Sequence, residues 1–276
     1  MKVCVLQPDY STTGVDYKNY DPPRDLSALV PEHEVHNIFL NKLTTFKQLK
    51  QLGKEGYDVF VNLCEGYLEW EVPSIDVIYS MELLDLPFTG PTTKLYDPPK
   101  ELMKYLAYCE GVKTPGYVIL HELKDVDEAV KHLKFPLFVK PAKAGDSLGV
   151  DEQSLVHNKI ELQQKCISIL DEYGPLLVEE YVAGREFTVL VAANTDGHSC
   201  TVFRPVEYLF PDGREFKTYA LKTSELHPDC NVPCNEEVLD KQLRSAAEKI
   251  FNGFNGVGYA RLDFRVNNKN EIYFLE

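Results

Sequence analysis

A lysine at the end of an apolar run, followed by a glycine-bearing loop, is the first pattern in this sequence that could carry chemistry. Residues 135–141 are apolar apart from Lys140, and a loop with Gly145 and Gly149 follows. A lysine is costly to bury without an anionic partner, and such a loop can turn several backbone N–H groups toward one anion. The pattern predicts a polyphosphate site. A strand-end lysine that extends to solvent beside a surface loop is the alternative.

Acidic residues lie near the end of the next apolar run. Glu179 and Glu180 are the charged residues within residues 176–182, and Glu186 follows seven residues after Glu179. Carboxylates in this arrangement could hold an amino group and a diol. Acidic side chains are also commonly solvated, so this pattern alone leaves both interpretations open.

The C-terminal segment has the pattern of a β-hairpin with charged residues on one face. If its turn centres on Lys269 and Asn270, Asp263 lies directly opposite Glu276, with the Cβ atoms about 5 Å apart. Like charges at facing positions destabilise a hairpin unless a cation lies between them, and Arg261 is on the same face. Carboxylate oxygens beside a phosphate describe a Mg²⁺ site. The alternative is an exposed hairpin whose acids are solvated.

Three other motifs are weaker. Residues 145–149 match the G-x-S-x-G pattern of hydrolases, but six residues separate Ser147 from Lys140, which is too many for a strand–turn–helix elbow. Residues 256–261 begin like a dinucleotide-binding fingerprint, but Arg261 replaces the third glycine and a strand follows. A zinc site could use His227, Cys230 and Cys234, but a fourth ligand is missing. This pattern is more typical of a loop with incidental cysteines.

The elements that must position these residues follow from the apolar patterning. The first ninety residues alternate between strand and helix patterns, which predicts a parallel sheet whose ligands lie beyond the carboxyl ends of the strands. The predicted elements there are strands at residues 3–6, 34–40 and 58–63 and a helix at 45–52, with loops 7–14 and 64–66 nearest to a ligand.

The remainder of the chain has the pattern of an α+β fold. Asn158 is the expected N-cap of a helix, with Glu161 as its capping partner and Gly174 at its end. A polar loop is expected at residues 204–234, before a helix and the closing hairpin. The other predicted elements are helices at 100–111, 126–133 and 235–251 and strands at 117–120, 137–140, 176–182 and 186–192.

Composition narrows the class of function. The chain has 276 residues and a formal net charge of −14, so broad binding to a nucleic-acid backbone, which needs a basic surface, is not expected. No apolar run approaches the roughly 18 residues that span a bilayer, and none near the N-terminus forms a signal-peptide core. The seven cysteines are scattered, which predicts free thiols and a cytoplasmic location.

The order of these segments, together with Asn62-Leu63-Cys64-Glu65-Gly66 and residues 86–90, resembles the ATP-grasp superfamily in its D-alanine–D-alanine ligase-like branch. The resemblance runs from about residue 58 onward and implies an α/β fold. Its expected parts are a Rossmann-like N-terminal substrate domain (1–92) and two α+β subdomains that clasp ATP (93–183 and 184–276). It also implies ATP and Mg²⁺ as cofactors, with Mn²⁺ as a substitute, amino-acid or related carboxylate substrates, and a homodimer.

The resemblance implies a role for individual residues. Those expected to bind ATP are Lys100, Lys140, Gly145, Ser147, Glu179, Glu180, Tyr181, Val182, Glu186 and Lys222. Those expected to act in catalysis are Arg261, Lys222 and Ser147, and those expected to hold the metal are Asp263 and Glu276. In the family reaction a carboxylate attacks the γ-phosphate to form an acyl phosphate, and an amine then displaces phosphate.

The sequence departs from the family pattern where the first substrate is held. The loop at residues 7–14 has no glutamate, Asp146 and Ser147 stand where the family has paired serines, and Thr223 replaces a tyrosine. These departures predict a ligase for a substrate other than D-alanine. The chain also stops at Glu276, before the family's next metal-binding asparagine. We therefore expect either a fragment that ends within a strand or a protein with half its metal site, for which an impaired ATP-binding protein is the alternative function.

Overall fold

The computed structural model of the chain describes residues 1–14, 21–143, 145, 147–211, 213–218 and 229–276. Contacts between these residues divide the chain into two units. The first is Met1–Asp97 with Gly256–Tyr259, and the second is Pro98–Asn255 with Ala260–Glu276. The division into three domains stays a prediction.

The first unit contains the predicted parallel sheet. Its elements are β1 (Lys2–Pro8), β2 (Glu34–Leu40), α1 (Thr45–Leu52), β3 (Val59–Asn62) and α2 (Ile75–Leu83). The strand order is β2-β1-β3, with both pairs parallel. Cys4 and Leu6 of the central strand are fully buried and pack in one cluster with residues of α1 and α2. A buried central strand explains the continuous apolar run at the N-terminus of the sequence.

The second unit begins with an antiparallel sheet in the order β4-β7-β5-β6. Its elements are β4 (Tyr117–Leu120), α4 (Val126–His132), β5 (Leu137–Pro141), β6 (Leu155–Val156), α5 (Lys159–Tyr173) and β7 (Leu176–Glu180). The predicted cap of α5 is confirmed, because the Asn158 side chain accepts a hydrogen bond from the Glu161 N–H at 3.0 Å. Gly174 follows the helix at a φ of +71°, a conformation that favours glycine.

A second antiparallel sheet completes this unit, in the order β11-β10-β8-β12-β13, with β9 paired to β8. The elements are α3 (Lys100–Cys109), β8 (Arg185–Ala193), β9 (Cys200–Val202), β10 (Val206–Tyr208), β11 (Asn231–Pro233), α6 (Glu237–Gly253), β12 (Tyr259–Val266) and β13 (Ile272–Phe274). Buried residues of α3 and α6 share one apolar cluster with this sheet, including Ala107, Leu243 and Phe264. α3 therefore packs on the second sheet although it precedes the first in sequence.

The register of the C-terminal hairpin corrects the prediction by one residue. Phe264 pairs with Phe274, so the turn centres on Lys269 alone, and Asn270 closes it at a φ of +59°. Asparagine tolerates this left-handed conformation better than most residues. The predicted direct pairing of Asp263 with Glu276 is therefore wrong for the regular ladder.

A β-bulge nevertheless brings the two acidic residues together. The Asp263 N–H donates to the Glu276 carbonyl at 2.8 Å, and the Asp263 carbonyl accepts from the Leu275 N–H at 2.8 Å. Two residues on one strand therefore oppose one on the other, which is the definition of a bulge. Glu276 thus lies next to Asp263 through an irregularity that the sequence pattern did not indicate.

The predicted polar loop at 204–234 is not continuous. It contains β10 and β11, which pair with each other, while residues 212 and 219–228 lie outside the described part of the chain. All seven cysteines are free, as predicted. In the described residues, no helix has both the length and the apolar character needed to cross a bilayer.

Candidate functional site

A cleft in the second unit gathers most of the residues proposed from sequence. It encloses about 780 Å³, including the solvent at its mouth. Ten of the proposed residues line it: Lys100, Lys140, Ser147, Glu179, Glu180, Tyr181, Val182, Glu186, Asp263 and Glu276. Arg261 is exposed and contacts Asp263, Gly145 is described but does not line the cleft, and Lys222 lies outside the described residues. The structure therefore places ten of the proposed residues in one cleft, while the role of each residue stays a prediction.

Two lysines converge on one carboxylate at the polar end of the cleft. The Nζ atoms of Lys100 and Lys140 each lie 3.4 Å from Oε2 of Glu276. Lys100 is in the first turn of α3, directly after a proline pair that starts the helix, and its side chain is 6% exposed. Lys140 is the last residue but one of β5, and its side chain is 10% exposed. The arrangement brings two buried cations close together, which suits an anionic ligand.

Glu179 joins Lys140 to a further lysine. In the register of β5 and β7, Lys140 pairs with Leu177, so Glu179 is its diagonal neighbour on the same face. Oε1 of Glu179 lies 3.2 Å from Lys140 Nζ, and its Oε2 lies 2.7 Å from Nζ of Lys104. The contact with Lys104 does not have hydrogen-bond geometry, so its attraction is mainly Coulombic. Glu179 therefore lies between two buried cations.

Lys104 is the residue of this array that the sequence analysis missed. It lies one helical turn after Lys100 on the same face of α3, and its ammonium group is fully buried. The i, i+4 spacing of two lysines at the start of an otherwise apolar helix face was an available signal. Surface lysines commonly have the same spacing, so the signal was not specific.

Burial and ion pairing act in opposite directions on these groups. Burial lowers the pKa of Lys104, and its attraction to Glu179 offsets this only in part. Burial also acts to lower the pKa of Lys140, but two carboxylates, those of Glu179 and Glu276, outweigh it and raise the pKa. Burial acts to raise the pKa of Glu179, but Lys104 and Lys140 outweigh it and hold the pKa below its usual value. Near neutral pH, Lys140 and Glu179 are therefore both charged.

Another part of the cleft lining is aromatic. The ring centroids of Phe138 and Phe216 are 5.0 Å apart, and those of Phe138 and Tyr181 are 6.4 Å apart. The backbone beside them is fixed, because the Glu180 N–H donates to Gly116 O at 2.8 Å and the Tyr181 N–H donates to Pro136 O at 3.0 Å. An apolar slot beside a rigid strand end suits a flat heteroaromatic ring. Phe216 was not proposed from sequence because it lies in the segment predicted as loop.

Glu186 also lines the cleft and is flanked by two cations. Its Oε2 is 3.4 Å from Nη1 of Arg265, and its Oε1 is 3.7 Å from Nζ of Lys217. Both cations line the cleft, and neither was proposed from sequence. An alternating polar and apolar strand such as β12 places many charged residues on one face, so its pattern did not distinguish Arg265.

The carboxylates at the polar end fit a hard cation. Oδ1 of Asp263 is buried, and no hydrogen bond to it occurs among the described residues, although Nε of Arg261 is 3.4 Å away. Glu276 is the second carboxylate there, and its side chain is 41% exposed. A divalent cation bound mainly by phosphate and water needs few protein oxygens, which matches this donor set. Among the described residues no group of three acidic, histidine or cysteine side chains is placed to hold a metal. His227, the histidine of the zinc-type pattern that the sequence analysis did not favour, lies outside them.

The glycine-bearing loop lies at the edge of the cleft but lacks the geometry of a hydrolase elbow. Ser147 follows β5 by several residues, and the next element is a short 3₁₀ turn, Glu152–Ser154, where a hydrolase elbow would continue directly into a helix. The described lining of the cleft includes no histidine to act as a base. Buried Lys165 instead anchors the loop, because its Nζ donates to Gly149 O at 2.9 Å.

The chain is similar in sequence to known proteins over most of its length. The family model described as D-ala D-ala ligase C-terminus matches residues 110–276. A D-alanine–D-alanine ligase from Aquifex aeolicus is 29% identical over 246 residues, which cover 88% of this chain and 78% of the relative. Among eight of the curated relatives, the matched part spans between 39% and 80% of the relative's length.

Solved structures agree on the fold. The D-alanine–D-alanine ligase from Bacillus anthracis complexed with ATP has a TM-score of 0.67 at 18% identity, covering 100% of this chain and 85% of that one. The VanG D-Ala:D-Ser ligase from Enterococcus faecalis has a TM-score of 0.68 at 17% identity, covering 100% and 89%. This likeness shows the ATP-grasp fold, and the family match extends over more than half of the chain. The chain therefore belongs to the D-alanine–D-alanine ligase family of ATP-grasp enzymes, ATP-dependent ligases that form carbon–nitrogen bonds and require Mg²⁺.

Proposed function

We propose that this chain activates a carboxylate with ATP and joins it to an amine, and that the carboxylate substrate is not D-alanine. The observation that carries the proposal is the polarity of the cleft in the second unit. Its lining combines two clusters: Lys100 and Lys140 meet at the Glu276 carboxylate, and Phe138, Tyr181 and Phe216 form an aromatic group. A nucleoside triphosphate has matching polarity, with a flat base at one end and a polyanion at the other.

The buried ion pairs support roles for the lysines. Lys140 keeps its charge despite burial because Glu179 and Glu276 raise its pKa, so it can hold a phosphate oxygen near neutral pH. Lys100 adds a second cation within reach of the same oxygen of Glu276. Mg²⁺, when bound at Asp263 and Glu276, supplies further neutralisation of phosphate charge. Such neutralisation, with correct positioning, provides most of the rate enhancement in phosphoryl transfer.

The proposed reaction has two steps. A carboxylate oxygen of the substrate forms a bond to the γ-phosphorus while the bond to the bridging oxygen of ADP breaks, which gives an acyl phosphate. The amine nitrogen then attacks the acyl carbon, inorganic phosphate leaves with the bonding electron pair, and the nitrogen loses a proton. Arg261, exposed beside Asp263, is the residue proposed to stabilise the charge on the acyl group as it develops.

The identity of the first substrate is argued from three departures in the sequence. The loop at residues 7–14 lacks the family's glutamate, while Asp146 and Thr223 replace a serine and a tyrosine. Asp146 and Thr223 lie outside the described residues, so this argument rests on residue type alone. Without the three groups that orient D-alanine in the family, a different amino acid or a hydroxy acid is the better candidate. A homodimer also stays a prediction.

The test is release of ADP from MgATP in the presence of a panel of D- and L-amino acids and hydroxy acids. We expect turnover that depends on one acid other than D-alanine. Arg261→Ala should abolish this turnover, whereas Arg244→Ala should not. Arg244 is a matched control because it also pairs with an aspartate, Asp240, but lies on α6 and does not line the cleft.

Two outcomes would contradict the proposal. Turnover that depends on D-alanine would refute the substrate assignment and leave the ligase activity standing. ATP binding without turnover for any acid would instead favour a catalytically impaired ATP-binding protein. The observation that favours this second candidate is the altered first-substrate segment, since residues 7–14 lack the glutamate of the family pattern.

A further inference from the structure

Arg265 is a buried guanidinium group at the centre of the cleft wall. It lies in β12 two residues after Asp263, and only 3% of it is exposed. Nη1 donates to Glu215 O at 2.9 Å, and Nη2 donates to Gly184 O at 2.8 Å. Nη2 also donates to the Tyr181 hydroxyl at 3.1 Å. One side chain therefore joins segments that are far apart in sequence.

These hydrogen bonds form a closed network around residues 181–184, which follow β7. The Tyr181 hydroxyl accepts from Arg265 and donates to Glu215 O at 2.9 Å, so both side chains converge on one carbonyl oxygen. The guanidinium carbon is also 4.9 Å from the centre of the Tyr181 ring, a cation–π distance. The aromatic wall of the cleft and the described segment at 213–218 are thus held by the same residue.

The energetics argue that Arg265 has a role beyond stability. Placing a guanidinium group in the protein interior costs several kcal/mol unless close ion pairs compensate. Its acidic partner, Glu186, is 3.4 Å away, longer than the 2.7–2.9 Å of a strong charge-assisted bond. Apolar residues of similar volume commonly serve stability equally well at such positions. We therefore explain the buried charge of Arg265 by the side chains that it orients.

The group that Arg265 orients is the Glu186 carboxylate. Arg265 approaches Oε2 and Lys217 approaches Oε1, at 3.4 and 3.7 Å, so cations flank both oxygens. Lys217 is itself placed over the ring of Tyr208, with its Nζ 4.0 Å from the ring centre. Glu186 is 9% exposed, lines the cleft, and is linked to Tyr181 of the aromatic wall through Arg265. A ribose diol would lie at that position and would donate hydrogen bonds to a carboxylate held in one orientation.

We infer that Arg265 is a positioning residue that fixes Glu186 and Tyr181 and thereby determines how strongly the cleft discriminates nucleotides by their ribose hydroxyl groups. The inference rests on the proposed function, since it takes the cleft to bind ATP. It adds a specificity determinant that acts through another residue. A purely structural arginine would affect all nucleotides alike, and that difference makes the inference testable.

The experiment measures equilibrium binding of ATP, 2′-deoxy-ATP and 3′-deoxy-ATP by calorimetry, without an acid substrate. For the wild-type protein we expect ATP to bind about tenfold or more tighter than the deoxy analogues, as for loss of a hydrogen bond to a charged group. Glu186→Gln should reduce this preference. Arg265→Met should reduce it toward onefold by weakening ATP far more than the deoxy analogues. Arg265→Lys should restore part of it, and Arg244→Met should leave it unchanged.

Equal weakening of all three nucleotides in Arg265→Met, with the preference retained, would overturn the inference. If Arg265→Met does not fold, Arg265→Lys and Tyr181→Phe decide the question, because each keeps most of the side-chain volume. An unchanged ribose preference in both would refute the role of Arg265. A wild-type protein that does not bind ATP would refute the proposed function and this inference with it, whereas binding with an unaltered preference in the variants refutes the inference alone.

Discussion

Replacing Lys104 with methionine should lower the free energy of unfolding of the second unit by about 3 kcal/mol. The Lys104 ammonium is fully buried, and its Nζ lies 2.7 Å from Oε2 of Glu179. Methionine keeps most of the aliphatic volume of lysine, so the change removes a charge without opening a large cavity. The expected loss therefore reports the ion pair and not the packing around it.

The magnitude follows from the geometry of the array. With an effective dielectric constant of about 20, two unit charges at 2.7 Å attract by roughly 6 kcal/mol, and at the 3.2 Å between Glu179 and Lys140 by roughly 5 kcal/mol. The cost of taking both charges from water cancels much of this attraction. Removing one partner of a buried pair costs about 3–5 kcal/mol, because the other charge stays buried. Glu179 keeps Lys140 as a partner, so we expect the lower end of that range.

The assay is denaturant unfolding followed by circular dichroism, with Lys113→Met as the matched control. Lys113 pairs with Glu271 at the same distance, 2.7 Å, but its side chain is 58% exposed. Water screens exposed pairs, so this control should leave the unfolding midpoint nearly unchanged. Adding Glu179→Gln to Lys104→Met should recover part of the lost stability, because the carboxylate that lost a partner is then neutral.

Equal midpoint changes in the buried and the exposed variants would refute the reasoning, since distance and not burial would then set the energy. A Lys104→Met protein as stable as the wild type would also refute it. In that case the ion pair with Lys140 would be enough to stabilise the buried Glu179 carboxylate, and the charge of Lys104 would contribute nothing to the free energy of unfolding.

The remaining predictions concern strain, acid titration and thiol reactivity. Gly184→Ala should reduce both stability and ATP affinity strongly, because φ is +141° and a Cβ there would lie 2.1 Å from a carbonyl oxygen of β12. Gly174→Ala, at a φ of +71° with nothing within 4 Å, has backbone strain without a clash and should cost less, about 1–3 kcal/mol; equal losses in denaturant unfolding would contradict this. Glu271 should titrate with a pKa of about 2, because a hydrogen bond from Lys113 stabilises its ionised form. Its pKa is thus lower when folded than when unfolded, so whatever stability it contributes is complete above about pH 4.5 and is lost as the pH falls toward 2. Water screens this exposed pair, so that contribution is small, in agreement with the control above. In an NMR titration Lys113→Met should raise the pKa of Glu271, and an unchanged value would contradict the assignment. Cys109, which is exposed, should be alkylated before the buried cysteines in the folded protein, and mass spectrometry showing the reverse order would contradict the fold.

Local patterns in the sequence determined a large part of the fold. Apolar runs predicted β1, β5 and β7, and the Asn158–Glu161 pair predicted where α5 begins. These features depend on residues close together in the chain, where side-chain period and capping chemistry act directly. α2 had no such signal, because it is apolar around much of its circumference and so lacks an amphipathic pattern.

The sequence predicted those residues of the candidate site whose place follows from the order of the strands along the chain. Lys140, Glu179 and Asp263 were proposed from their places at strand ends and in the hairpin, and the cleft brings them together. The order of the segments, more than any single motif, indicated the family that the comparisons show. Each motif alone remained compatible with a solvated surface group.

Only the tertiary structure decided which charges meet. Lys104 and Arg265 look like ordinary helix and strand charges in the sequence, and burial against Glu179 and Glu186 distinguishes them. The bulge beside Asp263 is a further example, since the spacing along the hairpin predicted a register one residue away. Ion pairing and strand register depend on contacts between segments distant in the chain, and on how much water those contacts exclude. The sequence lists the charged groups, but burial in the folded chain sets which of them interact and how strongly.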